Sequence, residues 1–128
     1  MQIELKDIER YLWEVKDAVK NNRYRIERNS KRQDNIDLFL DYVIDEAKAK
    51  EILLSLAPTD FSAILCNHHK GFEHELLYVF GKDVPLLERY GAEEKKVSLY
   101  MKFNRPEDCY IIVISFHKQK YPLTYYFK

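Results

Sequence analysis

Apolar residues recur at spacings of three and four over the first 21 positions, with charged residues between them. This stripe predicts an amphipathic helix over residues 3–21. Similar patterns predict helices over 34–43 and 45–56, each beginning with an aspartate suited to capping (Asp34 and Asp45), and Pro58 ends the second. Between the first two helices, residues 23–28 alternate basic and apolar side chains and predict a short edge strand. The stripe of the first helix consists of Leu5, Ile8, Leu12, Val15 and Val19.

From Thr59 onward the apolar period changes to two. Residues 83–94 read as a longer connection with a helical turn around Leu86–Arg89, and the tail 118–128 as a last strand or an ordered arm. Helices followed by strands predict an α+β fold, with N-terminal helices packed on a twisted antiparallel sheet. We expect one domain over residues 1–128, helical to about 57 and β-sheet from about 59. The predicted strands are 61–66, 74–80, 96–103 and 109–117.

The last two strands predict a hairpin with a polar face. A four-residue loop over 105–108 pairs Tyr100 with Val113 and Lys96 with His117, since side chains alternate between the two faces of a strand. That register collects the bulky apolar side chains on the face that helices can cover. The opposite face then carries Ser98, Tyr100, Lys102, Ser115 and His117.

This polar face has the composition of a site for phosphate chemistry. Histidine has an ordinary pKa near 6.5, so it can accept or donate a proton near neutral pH. Lysine and tyrosine side chains can hold a phosphate and stabilise the charge that develops on it. Tyrosines can stack on splayed bases, and the candidates are Tyr110, Tyr121, Tyr125 and Tyr126. The alternative is structural: His117 ends a strand and Tyr100 covers the sheet surface.

Charge is unevenly distributed along the chain although its net value is zero. Residues 18–33 and 95–128 each carry a net charge of +5, residues 1–17 carry −2, and residues 34–94 carry −8. A neutral protein with such blocks can present a basic face to RNA, provided that the acidic segment faces away. The densest basic run contacts RNA phosphates, binds an acidic partner segment, or is solvated. It consists of Lys20, Arg23, Arg25, Arg28, Lys31 and Arg32.

Other classes of protein fit the sequence less well. No apolar run approaches the roughly 20 residues of a membrane helix, and no secretory signal is visible. Cys66 and Cys109 predict reduced thiols in a cytoplasmic protein. A cysteine and three histidines lie close together but match no standard zinc spacing, so we expect a polar loop and neither a metal nor another cofactor. These four residues are Cys66, His68, His69 and His74.

Segments of the second half of the chain resemble the MqsR-type toxins. Residues 97–103 (VSLYMKF), 112–117 (IVISFH) and 121–125 (YPLTY) are similar to the final strands and tail of that family. Residues 52–61 (ILLSLAPTDF) resemble its helix end and entry into the sheet, and 79–82 (VFGK) resembles a strand end. The resemblance covers most of residues 40–128 in the same order, and the N-terminal helix more loosely.

The resemblance implies a RelE-like fold and an endoribonuclease toxin that cleaves mRNA without a metal and is neutralised by a cognate antitoxin. By position, Tyr100 matches a strand tyrosine of the family, Lys102 the lysine two residues on, and His117 a lysine or histidine. The resemblance assigns His117 as general acid or base, Tyr100 as an orienting or proton-sharing group, and Lys102 as a phosphate contact. The predicted RNA-binding residues are Lys82, Lys96, Tyr121 and Tyr125. The alternative function is a non-catalytic relative that binds or regulates another protein.

Overall fold

The computed structural model describes residues 2–91, 93–107 and 109–128. Within them the chain forms three α-helices, a short 3₁₀ helix at Pro58–Asp60 and five strands. No helix among these residues is long and apolar enough to cross a membrane. The helices are α1 (Leu5–Lys20), α2 (Gln33–Asp41) and α3 (Glu46–Leu54), and the strands are β1 (Tyr24–Ile26), β2 (Phe61–Cys66), β3 (Leu76–Leu87), β4 (Glu94–Glu107) and β5 (Tyr110–Lys118).

The first helix forms where the apolar stripe predicts it. The Asp7 carboxylate accepts a hydrogen bond from the backbone N–H of Glu4 at 3.3 Å, which satisfies one free donor at the helix start. The helix ends before Asn22, whose backbone has a positive φ of 59°. Its buried side is continuous, because one side chain in every three or four faces the sheet. The buried residues are Ile8, Tyr11, Leu12, Val15, Ala18 and Val19.

The α+β prediction is confirmed, but the sheet is mixed and not wholly antiparallel. Its strand order is β1-β5-β4-β3-β2, and β1 runs parallel to β5, with Tyr24 opposite Ile111. The Arg23 carbonyl accepts the N–H of Ile111 at 3.0 Å at the start of this pairing. The direction of β1 depends on the position at which α1 ends. The composition of the strand does not indicate that position.

Two elements are longer than predicted. Residues 83–87, expected to be a connection containing a helical turn, continue β3 and pair with 94–98 of β4. Val84 and Leu86 are buried there while their neighbours are exposed, which is the period-two burial of a strand with one covered face. Strand β4 also extends to Glu107, which pairs with Tyr110, so the hairpin loop is shorter than four residues. Asp108 lies outside the described residues.

The sheet has two unlike faces. The helix face packs on the three helices and forms the core; its β4 members are Val97, Leu99, Met101 and Phe103. The open face carries the alternate side chains of the same strands. From β3 through β5, its members near the candidate site are Val79, Gly81, Asp83, Ser98, Tyr100, Lys102, Ser115 and His117.

A β-bulge in β5 makes the predicted register wrong. Lys102 pairs with Ser115 and Phe103 with Val113, so Ile114 has no partner on β4. Side-chain alternation is reset at the bulge. Val113 and Phe116, three residues apart, therefore both lie in the core at 0% exposure. The predicted apolar set 110, 112, 114 and 116 is accordingly replaced by Ile111, Val113 and Phe116.

The buried side chain of Asn35 holds this bulge. Its amide nitrogen donates to the carbonyl of Ile114 at 2.9 Å and to that of Glu27 at 2.8 Å. Its amide oxygen accepts the N–H of Phe116 at 2.8 Å. These are backbone groups that the irregular ladder does not satisfy, and an unpaired buried group is costly. Asn35 thus anchors α2 against the edge of β5 beyond the end of β1.

The tail forms an ordered arm, one of the two predicted alternatives. The N–H of Gln119 bonds to the Ser98 carbonyl at 2.8 Å, and the N–H of Tyr126 to the Phe61 carbonyl at 3.0 Å. The arm therefore crosses one end of the open face from β5 to β2. It passes directly over Gly81, where a Cβ would lie under 3.0 Å from three side chains of the arm. Those three are Gln119, Leu123 and Tyr125.

Candidate functional site

Tyr100 and His117 are directly opposite each other on β4 and β5, not offset as predicted. Their rings stack with centroids 5.2 Å apart and an interplanar angle of 11°. The Nδ1 atom of His117 lies 2.8 Å from the carbonyl oxygen of Lys118. A carbonyl only accepts, so this contact favours the proton on Nδ1 and leaves the lone pair of Nε2 available for a proton.

Lys102 and Ser115 form the next pair along the same two strands. Lys102 is half-buried and Ser115 is 5% exposed, so the ammonium sits on a partly dry surface. Burial lowers the pKa of Lys102, and the positive charge of Arg32 lowers it further. Burial also raises the pKa of Tyr100 further above neutral pH, so the phenol is present in its protonated form.

The start of α2 borders the site on the β5 side. Asp34 forms an ion pair with Lys120 at 2.8 Å, and the hydrogen bond from Lys120 lowers the pKa of Asp34. Asp34 and His117 face the same space between α2 and β5. A shallow cavity of 240 Å³ lies between α2 and the end of β5. It is lined by Asp34, Asp37, Leu38, Asp41, His117, Lys118, Gln119 and Lys120.

The predicted RNA-binding residues are distributed over different parts of the surface. Lys96 lies on the open face, its ammonium 3.7 Å from the Asp83 carboxylate and about 13 Å along β4 from Tyr100. Tyr125 lies in the arm over Gly81, the β3 partner of Tyr100. Tyr121 is 80% exposed in the same arm.

Of the four predicted RNA-binding residues, Lys82 is the one that lies on the opposite face of the sheet. It pairs with the buried Leu99 and therefore points to the helix face. Its ammonium lies 3.4 Å from the carboxylate of Asp60, which is 7% exposed. The sheet separates Lys82 from Tyr100, Lys102 and His117.

Part of the acidic segment lies beside the site and does not face away from it. The carboxylate of Asp83 accepts a hydrogen bond from Ser98 at 2.6 Å on the open face. Asp34, Asp37 and Asp41 line the cavity next to His117. These carboxylates repel a phosphate at the site, whereas the Lys102 ammonium attracts one.

Sequence reasoning missed Arg32 and Asn35 as neighbours of this site. Arg32 was visible only as a member of the basic run, and Asn35 as a polar residue in a predicted helix. The zinc candidates Cys66, His68, His69 and His74 are all exposed. No group of three potential metal ligands is arranged to hold an ion in the part of the chain that the structure describes.

No protein-family model, no curated protein and no solved structure matches this chain. The resemblance to MqsR-type toxins therefore rests on the quoted sequence segments.

Proposed function

We propose that this chain is an endoribonuclease that cleaves mRNA by metal-independent acid–base chemistry, with a RelE-like fold and a cognate antitoxin as its partner. The observation that supports the proposal is the stacked Tyr100–His117 pair beside the half-buried Lys102. These three residue types supply a proton acceptor, a proton donor and a cation. The proposal locates the activity in the cytoplasm, where mRNA is.

The proposed reaction is an internal transfer at one phosphodiester. The Nε2 atom of His117 takes the proton of the 2′-hydroxyl as the 2′-oxygen forms a bond to the adjacent phosphorus. The bond from phosphorus to the 5′-oxygen breaks, and the Tyr100 phenol donates the proton that this oxygen takes up. The products are a 2′,3′-cyclic phosphate and a 5′-hydroxyl, and both side chains recover their protonation states from water.

Lys102 acts on the phosphate itself. A cation on a partly buried surface interacts more strongly with a phosphate oxygen than a fully solvated one does. The negative charge that grows on the phosphoryl oxygens during the transfer is stabilised by this ammonium. Its half-buried stem keeps the charge close to the strands that carry Tyr100 and His117.

A second candidate function is a non-catalytic module that binds a protein. The carboxylates of Asp34, Asp37 and Asp41 beside His117 favour it, because they repel an RNA strand and suit a basic protein segment. The two candidates predict different outcomes with RNA. A binding module leaves RNA intact and does not arrest growth when it is expressed.

The test is cleavage of a defined RNA by the purified protein in excess EDTA. We expect cyclic-phosphate ends, and we expect His117→Ala to lower the rate by about 10²–10⁴-fold, the usual contribution of a general base. The matched control is His74→Ala, which removes an exposed histidine of the 67–75 loop. Equal rates for the two variants, or no cleavage by the wild type, would contradict the proposal.

A further inference from the structure

Two cations, Arg32 and Lys102, belong to the elements that flank Ser115 of β5 on its two sides. Asn35 bonds to the backbone of Ile114 and Phe116, so the start of α2 lies against β5 at Ser115. Arg32 is the residue that directly precedes α2. Lys102 is the β4 partner of Ser115. The strand β5 thus brings Arg32 and Lys102 towards one another across a single residue.

Among the described residues, the ion pairs with carboxylates include neither Arg32 nor Lys102. Asp34, the acidic residue of α2 closest to Arg32 in sequence, forms an ion pair with Lys120 at 2.8 Å. The two like charges repel each other enough that Arg32 lowers the pKa of Lys102. A bound anion would convert this repulsion into two attractions.

We infer that Arg32 and Lys102 together bind one phosphate of a nucleic-acid strand, beside His117. A guanidinium presents two parallel N–H donors that match two phosphate oxygens, and an ammonium adds a point charge. The identification of the strand as RNA rests on the proposed function. The phosphate contact itself requires only a phosphodiester. This contact would make Arg32, a member of the basic run between residues 20 and 32, a phosphate-binding residue of the site.

The test uses a short fluorescein-labelled 2′-O-methyl RNA, whose blocked 2′-oxygen prevents cleavage, with binding followed by fluorescence anisotropy. We expect Arg32→Gln to weaken binding about tenfold, the loss of one charge-assisted contact. The slope of log affinity against log salt should fall by about 0.7, as for one phosphate contact on a single strand. The matched control is Lys31→Gln, the exposed neighbour in the same loop, which should change affinity less than twofold.

A second measurement needs no ligand. In Arg32→Gln, the pKa of Lys102, followed by the ¹³Cε shift in NMR titration, should rise towards its ordinary value, whereas Lys31→Gln should leave it unchanged. Equal loss of binding in the two variants, or an unchanged pKa of Lys102, would overturn the inference. Absence of any binding by the wild type would overturn it as well. Thermal melts of each variant confirm that it is folded.

The outcomes separate this inference from the proposed function. If the wild type binds the 2′-O-methyl strand through Arg32 but cleaves no RNA, the phosphate contact stands and the enzyme proposal fails. If the wild type cleaves RNA and Arg32→Gln binds and cleaves as well as Lys31→Gln does, the enzyme proposal stands and the phosphate contact fails.

Discussion

The helix face and the open face of one sheet use alternate residues of the same strands for different purposes. On β4 the helix-face side chains of Val97, Leu99, Met101 and Phe103 are all at most 4% exposed. Between them, Tyr100 and Lys102 remain partly exposed on the open face. Stability and candidate chemistry are thus interleaved residue by residue, so a substitution can remove one and leave the other.

The two faces are kept distinct by the bulge at Ile114. Without it, Phe116 and Val113 would point to opposite sides of the sheet. With it, both enter the core, and His117 lies opposite Tyr100 on the open face. One inserted residue, held by Asn35 from α2, therefore serves the core and the candidate site together.

The largest expected contrast is between neighbouring residues of β5. Phe116→Ala should lower the free energy of unfolding by about 3–5 kcal/mol, because a fully buried ring that packs on Phe39 is lost. His117→Ala, on the other face, should cost under about 1 kcal/mol. Urea denaturation of both variants measures the difference. If both substitutions lowered the free energy of unfolding equally, His117 would contribute to the core as Phe116 does, and the contrast between the two faces would fail.

Loss of the bulge anchor should affect both faces. Asn35→Ala leaves the Ile114 carbonyl and the Phe116 N–H without partners, which we expect to cost about 2–4 kcal/mol. It should also reduce the ring-current shift that Tyr100 imposes on the imidazole signals of His117 in NMR spectra. Gln33→Ala, an exposed change on the same helix, is the control. A stable Asn35→Ala variant with unshifted His117 signals would show that the bulge holds without Asn35.

Occupying the space at Gly81 should detach the arm from the open face. Gly81→Val places atoms where side chains of the arm now lie, and such overpacking costs about 1–3 kcal/mol. We expect faster chymotrypsin cleavage after Tyr125 and Tyr126 of the arm. Gly71→Ala is the control, since that position has a positive φ of 89° but open space around it. It should lose some stability without exposing the arm, and equal cleavage of both variants would contradict the close contact.

Removing a buried hydroxyl of α1, where this helix packs on the sheet, should raise stability. The Tyr11 hydroxyl is buried, and no other described group hydrogen-bonds to it, so Tyr11→Phe should add about 1 kcal/mol. Burial raises the pKa of Tyr11, so the wild type loses stability as the pH rises above the ordinary value of 10.0. The advantage of Tyr11→Phe should therefore grow above pH 10. Exposed Tyr121→Phe is the control, and a loss of stability in Tyr11→Phe would reveal a partner for the hydroxyl.

The smallest expected effect is a rise in the stability of the protein when a charge is removed from the open face. Lys102→Met removes a charge whose pKa is lowered by burial and by Arg32, so we expect a small rise in Tm at neutral pH. A lowered pKa means that wild-type stability increases with pH towards 10.5, where the gain should disappear. Lys96→Met, which is highly exposed, should change Tm less. A lower Tm in Lys102→Met would indicate that this lysine stabilises the fold.

The elements with strong local periodicity were predictable. The stripe of Ile8, Leu12, Val15 and Val19 is compatible only with a helix packed on one side, and α1 follows it closely. The alternation of β4 also placed Tyr100 and Lys102 on the same face. In contrast, residues 83–87 were predicted wrongly, because Leu86-Leu87-Glu88-Arg89 resembles a helical turn when its pairing with β4 is unknown.

The candidate site was predictable in composition but not in geometry. Regular alternation gave His117 and Tyr100 a common face, and the structure agrees. The pairing of the two strands differed from the prediction, because β5 contains a bulge and β4 is longer than expected. His117 therefore lies opposite Tyr100, whereas the predicted register paired it with Lys96. Lys82 was predicted to bind RNA with the others, but the spacing of two that it shares with Phe80 and Val84 places it on the helix face.

Local pattern by itself determined the α+β class, the helical first half, the polar set on the last two strands and the uneven charge. These depend on spacings of two to four residues, which each segment carries independently of the rest of the chain. Only the tertiary structure decided the parallel β1–β5 pairing, the bulge, the path of the arm and the approach of Arg32 to Lys102. Each of these joins residues far apart in sequence, such as Asn35 and Ile114, and a pairing of that kind is selected by which buried polar groups find partners once the chain has folded.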